Sequence, residues 1–203
     1  MTRAERAHLL AERVTAAREA LLFYARIAEF RGGLEELRTL VRRIGPPLLR
    51  EQAAALDPAH LPPESFFARV LLRQRPPAPP TQPSPGQCPH CGGLPQAGCL
   101  RPAGDGHTLY LVCGICLREW PYPRAHCPAC GQTDERRIAL YSNSLLDHVQ
   151  LRVCEVCRRY LHVAHCGQDP LAIPDVDEVA ALPMDVWARE QGWEKICPNL
   201  IGI

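Results

Sequence analysis

The sequence predicts an α+β protein with an N-terminal helical bundle, two tandem cysteine ribbons and a short helical C-terminal tail. Cysteine is confined to one region, because residues 1–87 contain none and ten of the 11 cysteines lie in residues 88–166. Within that region a Cys-Pro-x-Cys-Gly unit begins at Cys88 and again at Cys127. Before it, apolar residues recur at helical spacing between charged ones. Helices and ribbons are therefore expected to follow one another along the chain.

Helical periodicity predicts a bundle over residues 1–75. Over residues 3–30, Leu10, Val14 and Leu21 belong to one apolar stripe on a charged helix, which Gly32-Gly33 ends. Shorter periodic segments predict three further helices, over 34–44, 48–56 and 64–73. No catalytic motif occurs in this region, which favours a scaffold or docking role.

Residues 76–87 are predicted to be a proline-rich linker. Six prolines occur in the segment PPAPPTQPSPG, which starts at Pro76. Such runs adopt an extended polyproline conformation of about 3.1 Å per residue and act as semi-rigid spacers. We therefore expect the helical bundle and the ribbons to fold as separate parts.

An internal repeat follows the linker, and it predicts ribbons over residues 88–126 and 127–166. Each copy has a Cys-Pro-x-Cys-Gly turn, a strand-like run and a second Cys-x-x-Cys pair. The two strand-like runs are HTLYLV from His107 and HVQLRV from His148. In the second run apolar residues alternate with polar ones, as in a half-buried strand.

Paired cysteines at this spacing predict metal sites. A tetrahedral ion needs four thiolates, and each Cys-x-x-Cys turn supplies two of them. The repeat favours a sequential arrangement in which each ribbon holds one ion with its own four cysteines. We therefore predict two metal ions per chain, of iron or zinc, since both metals accept four thiolates. The predicted ligands are Cys88, Cys91, Cys113 and Cys116 in the first site and Cys127, Cys130, Cys154 and Cys157 in the second.

Other interpretations of the polar residues remain open. Cys113-Gly-Ile-Cys116 follows a strand, like a thioredoxin-type dithiol, although Pro121 leaves little room for the helix that such a motif opens. His162, His165 and Cys166 are close enough in sequence for a further metal site, but packing roles are favoured. Acids after Pro174 in the tail, residues 167–203, are interpreted as first-turn residues of a helix.

Composition excludes several classes of function. The sequence contains neither a phosphate-binding P-loop motif nor a nucleophile elbow nor His-Glu-x-x-His. The ribbon region has eight arginines against six acidic residues, and two four-thiolate divalent sites would turn this small positive charge negative. The tail is acidic, which also disfavours nucleic acid. The first residues lack an apolar signal segment, and no apolar run is long enough to span a bilayer, so a cytoplasmic protein is expected.

The order of motifs resembles the FdhE family, the formate dehydrogenase accessory (maturation) proteins. The resemblance covers most of residues 88–203. It is carried by CPHCGG from Cys88, LYLVCGICLREWPYPRAHCPACG from Leu109, RVCEVCRRYLH from Arg152 and the tail from Pro174, PDVDEVAALPMDVWAREQGWEKICPNLIGI. Generic zinc ribbons have neither the segment that joins the two cysteine pairs nor this tail.

The resemblance implies rubredoxin-like, iron-binding modules in a cytoplasmic maturation factor that is not an enzyme. Its partner would be the catalytic subunit of formate dehydrogenase, bound through the metal-stabilised ribbon region. Two alternatives stay open: a rubredoxin-like one-electron carrier and a nucleic-acid-binding zinc ribbon. The positions of this sequence that match the family are the eight paired cysteines.

Overall fold

The computed structural model describes residues 1–202 and consists of N-terminal helices, a central mixed sheet and two C-terminal helices. The N-terminal helices are α1 (Arg3–Arg13), α2 (Arg18–Glu29), α3 (Leu34–Ile44), α4 (Pro47–Ala54) and α5 (Phe66–Gln74). The strands are β1 (Pro95–Ala103), β2 (Gly106–Cys113), β3 (Glu119–Tyr122), β4 (Ile138–Ser142), β5 (Val149–Cys154), β6 (Arg159–His165) and β7 (Glu194–Lys195). The C-terminal helices are α6 (Pro174–Ala180) and α7 (Leu182–Glu190). The predicted α+β fold class is confirmed.

The prediction of a single helix over residues 3–30 is wrong, because the chain leaves helical geometry at Val14. Thr2 and Glu5 cap α1 reciprocally, each side chain accepting a hydrogen bond from the other residue's backbone N–H. Val14 has φ −115° and ψ 85°, and Thr15–Ala17 form a 3-10 turn before α2. Two β-branched residues in succession resist the helical conformation, and the break buries Val14 in the core. The other three predicted helices are confirmed as α3, α4 and α5.

The six longer strands form one sheet in the order β3-β2-β1-β6-β5-β4, and β7 pairs with β6. The two predicted strand runs are confirmed as β2 and β5. Val149, Leu151 and Val153 of β5 are buried, as their alternation with polar residues predicts. Within the described residues 1–202, no helix is both long enough and apolar enough to cross a bilayer.

The internal repeat is visible in the strand register. Cys113 at the end of β2 pairs with Pro95 of β1, and Cys154 at the end of β5 pairs with Ile138 of β4. β1, β2 and β3 therefore correspond to β4, β5 and β6. The two ribbons join through the parallel pair β1–β6, so they share one sheet. The boundary between them at residue 127 stays a prediction.

The proline-rich segment contacts both ribbons. Residues 75–94 contain no helix or strand, which is compatible with the predicted extended linker. Pro80 lies near Gly92, where a Cβ atom would be 3.8 Å from the proline ring. Gly86 lies against Pro128 so closely that a Cβ atom would be 1.8 Å from the proline carbonyl oxygen. The segment therefore lies across the cysteine turns of both ribbons.

One apolar core joins the helical part to the rest of the chain. It contains buried residues of the N-terminal helices, of β5 and β6 and of the C-terminal helices, among them Leu10, Phe67, Leu151 and Val176. The expectation that bundle and ribbons pack separately is therefore wrong. A proline-rich composition indicates an extended backbone, but it carries no information on whether the flanking parts touch.

Three buried acids of α6 add a polar interface to this core. The predicted helix does begin at Pro174, but its acids are buried rather than solvated. Arg3 Nε and Tyr24 Oη donate to Asp175 at 2.8 Å and 2.5 Å. Arg6 binds both oxygens of Asp177. Glu178 accepts a hydrogen bond from Gln96 of β1 at 2.6 Å and forms an ion pair with Lys195 of β7.

We predict that Arg6→Leu strongly destabilises the protein. Arg6 is 1% exposed and donates to Asp169 at 2.7 Å as well as to Asp177. Its removal leaves buried carboxylates without their cation, which costs about 3–5 kcal/mol. The measurement is the free energy of unfolding in urea. The matched control is Arg13→Leu, an exposed position of the same helix, and equal losses in the two variants would contradict the prediction.

We also predict that cutting the linker leaves the two parts associated. A specific protease site placed between Thr81 and Gln82, which are exposed, gives two fragments without disturbing a helix or strand. Because they share a core and a buried polar interface, the fragments should elute together on size exclusion in native buffer and separately in denaturant. Separation in native buffer would show that the shared core does not hold them together.

Candidate metal centres

The first centre brings together the first two cysteine pairs of the chain. Cys88 and Cys91 occupy the turn before β1, and Cys113 ends β2. The Sγ atoms of Cys88 and Cys116 are 3.6 Å apart, and those of Cys91 and Cys113 are 3.4 Å apart. All four sulfur atoms lie within 4.8 Å of one another.

The second centre repeats this geometry with the last two pairs. The Sγ atoms of Cys127 and Cys157 are 3.7 Å apart, and those of Cys130 and Cys154 are 3.8 Å apart. These four sulfur atoms also lie within 4.8 Å of one another. The structure thus brings the eight cysteines together in the predicted sequential arrangement, four from each ribbon. Their role as metal ligands stays a prediction.

The turns between paired cysteines, here called knuckles, direct backbone N–H groups at sulfur. In three of them the residue two positions after the first cysteine donates to its Sγ, at 3.4 Å from His90, 3.3 Å from Ile115 and 3.4 Å from Ala129. Gly92 and Gly131 follow the first knuckle of each ribbon with φ +75°, a left-handed conformation that glycine adopts at no steric cost. N–H donors of this kind stabilise thiolate charge.

The sulfur geometry fits a four-coordinate ion. At a metal–sulfur distance of about 2.3 Å, a tetrahedral site has sulfur–sulfur distances of about 3.8 Å, close to the distances in both centres. A disulfide would need sulfur atoms about 2.05 Å apart, and all 11 cysteines are free thiols. Each centre could therefore hold one metal ion. Four sulfur donors suit iron and zinc alike.

Burial makes several of the free thiols poor acids, whereas at Cys91 and Cys154 hydrogen bonds to the sulfur outweigh burial and lower the pKa. Burial raises the pKa of Cys113 and Cys127 well above the ordinary thiol value and that of Cys116 to about 11. Thiolates, not thiols, are the ligands of zinc and iron. An ion that binds here must therefore displace protons, which makes its affinity rise with pH.

The two centres differ in exposure. In the first centre Cys88, Cys91 and Cys113 are buried, and they belong to an apolar cluster that includes Trp120. In the second centre Cys130 is exposed. Sequence repetition does not predict this difference, because the apolar cluster around the first centre also includes Leu161 and Val163 of the second ribbon and Ile196 of the tail.

The structure does not support the thioredoxin-like interpretation of Cys113–Cys116. A redox dithiol of that type opens a helix. Here the chain turns back after Cys116, with Leu117 at φ 58°, and continues into β3. Both cysteines instead face the first knuckle.

The further metal site considered for His162, His165 and Cys166 does not form among the described residues. His162 Nε2 lies 2.8 Å from Asp185 of α7. Cys166 interacts with the buried thiol of Cys99. A different acidic group, His148, Asp169 and Asp177, has metal-like spacing, but the guanidinium of Arg6 already binds it.

A second buried polar group surrounds Asp185. Asp185 accepts hydrogen bonds from Tyr160 Oη at 2.8 Å and Lys195 Nζ at 3.2 Å, and it lies 2.8 Å from His162 Nε2. Burial by itself raises the pKa of Asp185, but the charges of His162 and Lys195 outweigh it and hold the pKa below its usual range. Burial lowers the pKa of Lys195, but the charges of Glu178 and Asp185 outweigh it and raise that pKa. These contacts join α7 to β6 and β7.

Sequence reasoning missed these networks and their cations. Arg6, Arg69 and Arg73 read as ordinary residues of charged helices, although Arg69 donates to the backbone oxygens of Pro198 and Asn199. One signal was available. The sequence contains a single lysine, Lys195, and many arginines. This lysine follows the acids of the tail.

Comparisons with known proteins agree with this geometry. Residues 125–201 match the family model described as FdhE, C-terminal domain, and residues 87–124 match FdhE, central domain. The curated FdhE homolog of Aquifex aeolicus (strain VF5) is 32% identical over 116 residues, which are 57% of this chain and 41% of that protein. The Stutzerimonas stutzeri (strain A1501) homolog is 31% identical over 115 residues, 56% of this chain and 37% of that one. The matches to this chain thus span about two fifths of the length of these curated relatives.

A solved structure shares the fold beyond the matched domains. The crystal structure of the FdhE protein from Pseudomonas aeruginosa superposes with a TM-score of 0.70 over 98% of this chain and 93% of that one, at 20% sequence identity. The N-terminal helices, which neither family model covers, are part of this shared fold. With both ribbon domains and the tail matched, the chain belongs to the FdhE family.

Proposed function

We propose that the protein is a cytoplasmic accessory factor for the maturation of formate dehydrogenase, and that it is not itself an enzyme. The observation that carries this proposal is the pair of four-cysteine centres, in the two regions that match FdhE domains. The proposed partner is the catalytic subunit of formate dehydrogenase. It would bind to the ribbon region, which two metal ions stabilise.

The donor sets favour a structural role for the ions. Four thiolates saturate a tetrahedral ion and leave no position for water or substrate. When bound, each ion cross-links two knuckles at one end of the sheet. The chain's own N–H groups orient the sulfur atoms, and Gly92 and Gly131 shape the turns. Binding a partner, rather than catalysis, is the activity that such a site supports.

One observation favours a second candidate function, a one-electron carrier with iron in the second centre. Cys130 is exposed, so a partner's redox group could approach a ligand sulfur directly. A nucleic-acid role gains no such support, because the ribbon region carries little net positive charge and bound divalent ions in thiolate sites would reverse it. A reversible change in visible absorption on reduction would favour the carrier.

We predict two metal ions per chain. Titration of the freshly purified protein with a mercurial should release two equivalents, measured with a metal indicator. The second centre should release its ion first, because the exposed Cys130 is open to the reagent. Cys130→Ser should therefore remove the fast phase, whereas Cys166→Ser, outside both centres, should leave both phases. A single equivalent, or disulfides among the eight cysteines, would contradict this prediction.

We predict that the second centre is needed for maturation. In cells that lack the native protein, the variant with Cys127→Ser and Cys130→Ser should give no formate oxidation, because the second ribbon loses its cross-link. Cys166→Ser should restore activity to the level of the unaltered chain. Pull-down with the catalytic subunit, measured in the same cells, should be lost in parallel. Full activity of the double variant would overturn the proposed function.

A further inference from the structure

The two ribbons are joined head to tail, and such a contact leaves one free edge at each end. β1 of the first ribbon pairs in parallel with β6 of the second, over Ala97–Leu100 and His162–His165. Because this contact joins unlike edges of two similar units, it does not close on itself, and one edge of each unit stays unpaired. The free edges are those of β4 and β3, which correspond to β1 and β6.

The strand register identifies the equivalent residues. Ala97 pairs with Val112, one residue before Cys113, and Ala139 pairs with Val153, one residue before Cys154. Ala139–Ser142 of β4 therefore correspond to Ala97–Leu100 of β1, the segment that binds β6.

Backbone direction agrees with this correspondence. The C=O group of Leu100 points at β6, where it accepts a hydrogen bond from Cys166 N–H at 3.0 Å. The C=O group of its counterpart, Ser142, should therefore point away from the sheet. In β4, Arg137 C=O instead accepts from Glu155 N–H at the end of β5. Since backbone groups alternate along a strand, Leu140 and Ser142 present their N–H and C=O groups away from β5.

The edge of β4 is open. Among the described residues β4 pairs with β5 alone, Leu140 is 54% exposed and Ser142 is exposed. Proteins blunt such edges with proline, lysine or bulges. The sequence Ile-Ala-Leu-Tyr-Ser of β4 contains neither proline nor lysine.

The opposite edge, by contrast, is blocked. In β6, Cys166 N–H points at β1, and by alternation so do the N–H groups of His162 and Ala164. The register places Pro121 and Pro123 at the counterparts of these two residues. Proline has no N–H to donate. The β3 edge of a second copy therefore cannot pair with β4 as β6 pairs with β1.

An apolar cavity lies at the C-terminal end of the open edge. Its volume is about 280 Å³, and its lining includes Tyr141, Leu145, Met184 and Trp187. Leu145 is 60% exposed and Trp187 is 37% exposed. The cavity has room for one large apolar side chain from a strand laid along β4.

We propose that the β4 edge binds an extended segment of a partner protein as an added parallel strand, with an apolar side chain in this cavity. The backbone of Leu140 and Ser142 supplies the hydrogen bonds, as Gly98 and Leu100 do for β6. The pairing inside the chain is the precedent for this interface, and the prolines of β3 rule out a second copy that docks through its β3 edge. The inference concerns the edge alone and does not depend on which protein is the proposed client.

The test uses a synthetic peptide of residues 159–166, carrying Cys166→Ser, as the probe, because this sequence already occupies the equivalent edge of β1. The full metal-loaded chain should bind it, with amide exchange slowed at Leu140 and Ser142. Leu140→Pro removes an outward N–H without disturbing the β5 pairing and should weaken binding about tenfold or more. Leu140→Ala, which keeps the N–H, should bind normally. A peptide carrying Ala164→Pro should not bind.

Three results would overturn the proposal. The first is that no binding occurs at millimolar peptide. The second is that Leu140→Pro and Leu140→Ala bind equally well, which would place the peptide elsewhere. The third is concentration-dependent dimerisation of the chain that Leu140→Pro abolishes, because the occupant of the edge would then be a second copy. Unfolding of each variant, followed in urea, separates these results from loss of the fold.

Discussion

Three carboxylates on one short helix constrain the whole structure. Asp175, Asp177 and Glu178 are each about 1% exposed or less, and a buried carboxylate is tolerated only when cations and hydrogen-bond donors surround it. The donors come from every part of the chain: α1 and α2 in the helical region, Gln96 in the first ribbon and Lys195 at the end of the tail. The burial of helix α6 therefore depends on contacts with all of these parts.

This constraint links the helical region to the first candidate metal centre. Arg69 and Arg73 of α5 share the side-chain oxygen of Gln96, whose nitrogen donates to Glu178. Arg69 also reaches the carbonyl of Gly114, inside the second knuckle of the first centre. The polar network thus runs from the helices through the sheet to the turn that carries Cys113 and Cys116. A substitution in the network should therefore alter the geometry of the first centre, although no residue of the network is a predicted ligand.

The cysteine geometry was predictable because it is local, and the rest depended on contacts distant in sequence. A Cys-x-x-Cys turn fixes its own shape, and the repeat indicates which pairs meet. β2 and β5 were predictable from alternation, whereas β1 contains Gly98 and two prolines and β3 contains Pro121, so that neither reads as a strand. In the sequence the acids of α6 resemble ordinary first-turn residues, because their cationic partners Arg6 and Lys195 lie far from them along the chain. Their burial is set by partners about 170 residues away in the case of Arg6 and Asp177.

Repetition gives the two centres the same sulfur geometry, but the surroundings make them unequal. The first centre lies in its own apolar cluster with Leu111 and Ile196. The second has an exposed Cys130, and its Cys154 pairs with Ile138 at the start of the open β4 edge. A strand added in parallel to β4 would begin beside the second centre and end at the apolar cavity. The second ribbon therefore combines an accessible four-cysteine centre, a free edge and a cavity, whereas the corresponding edge of the first ribbon is occupied by β6.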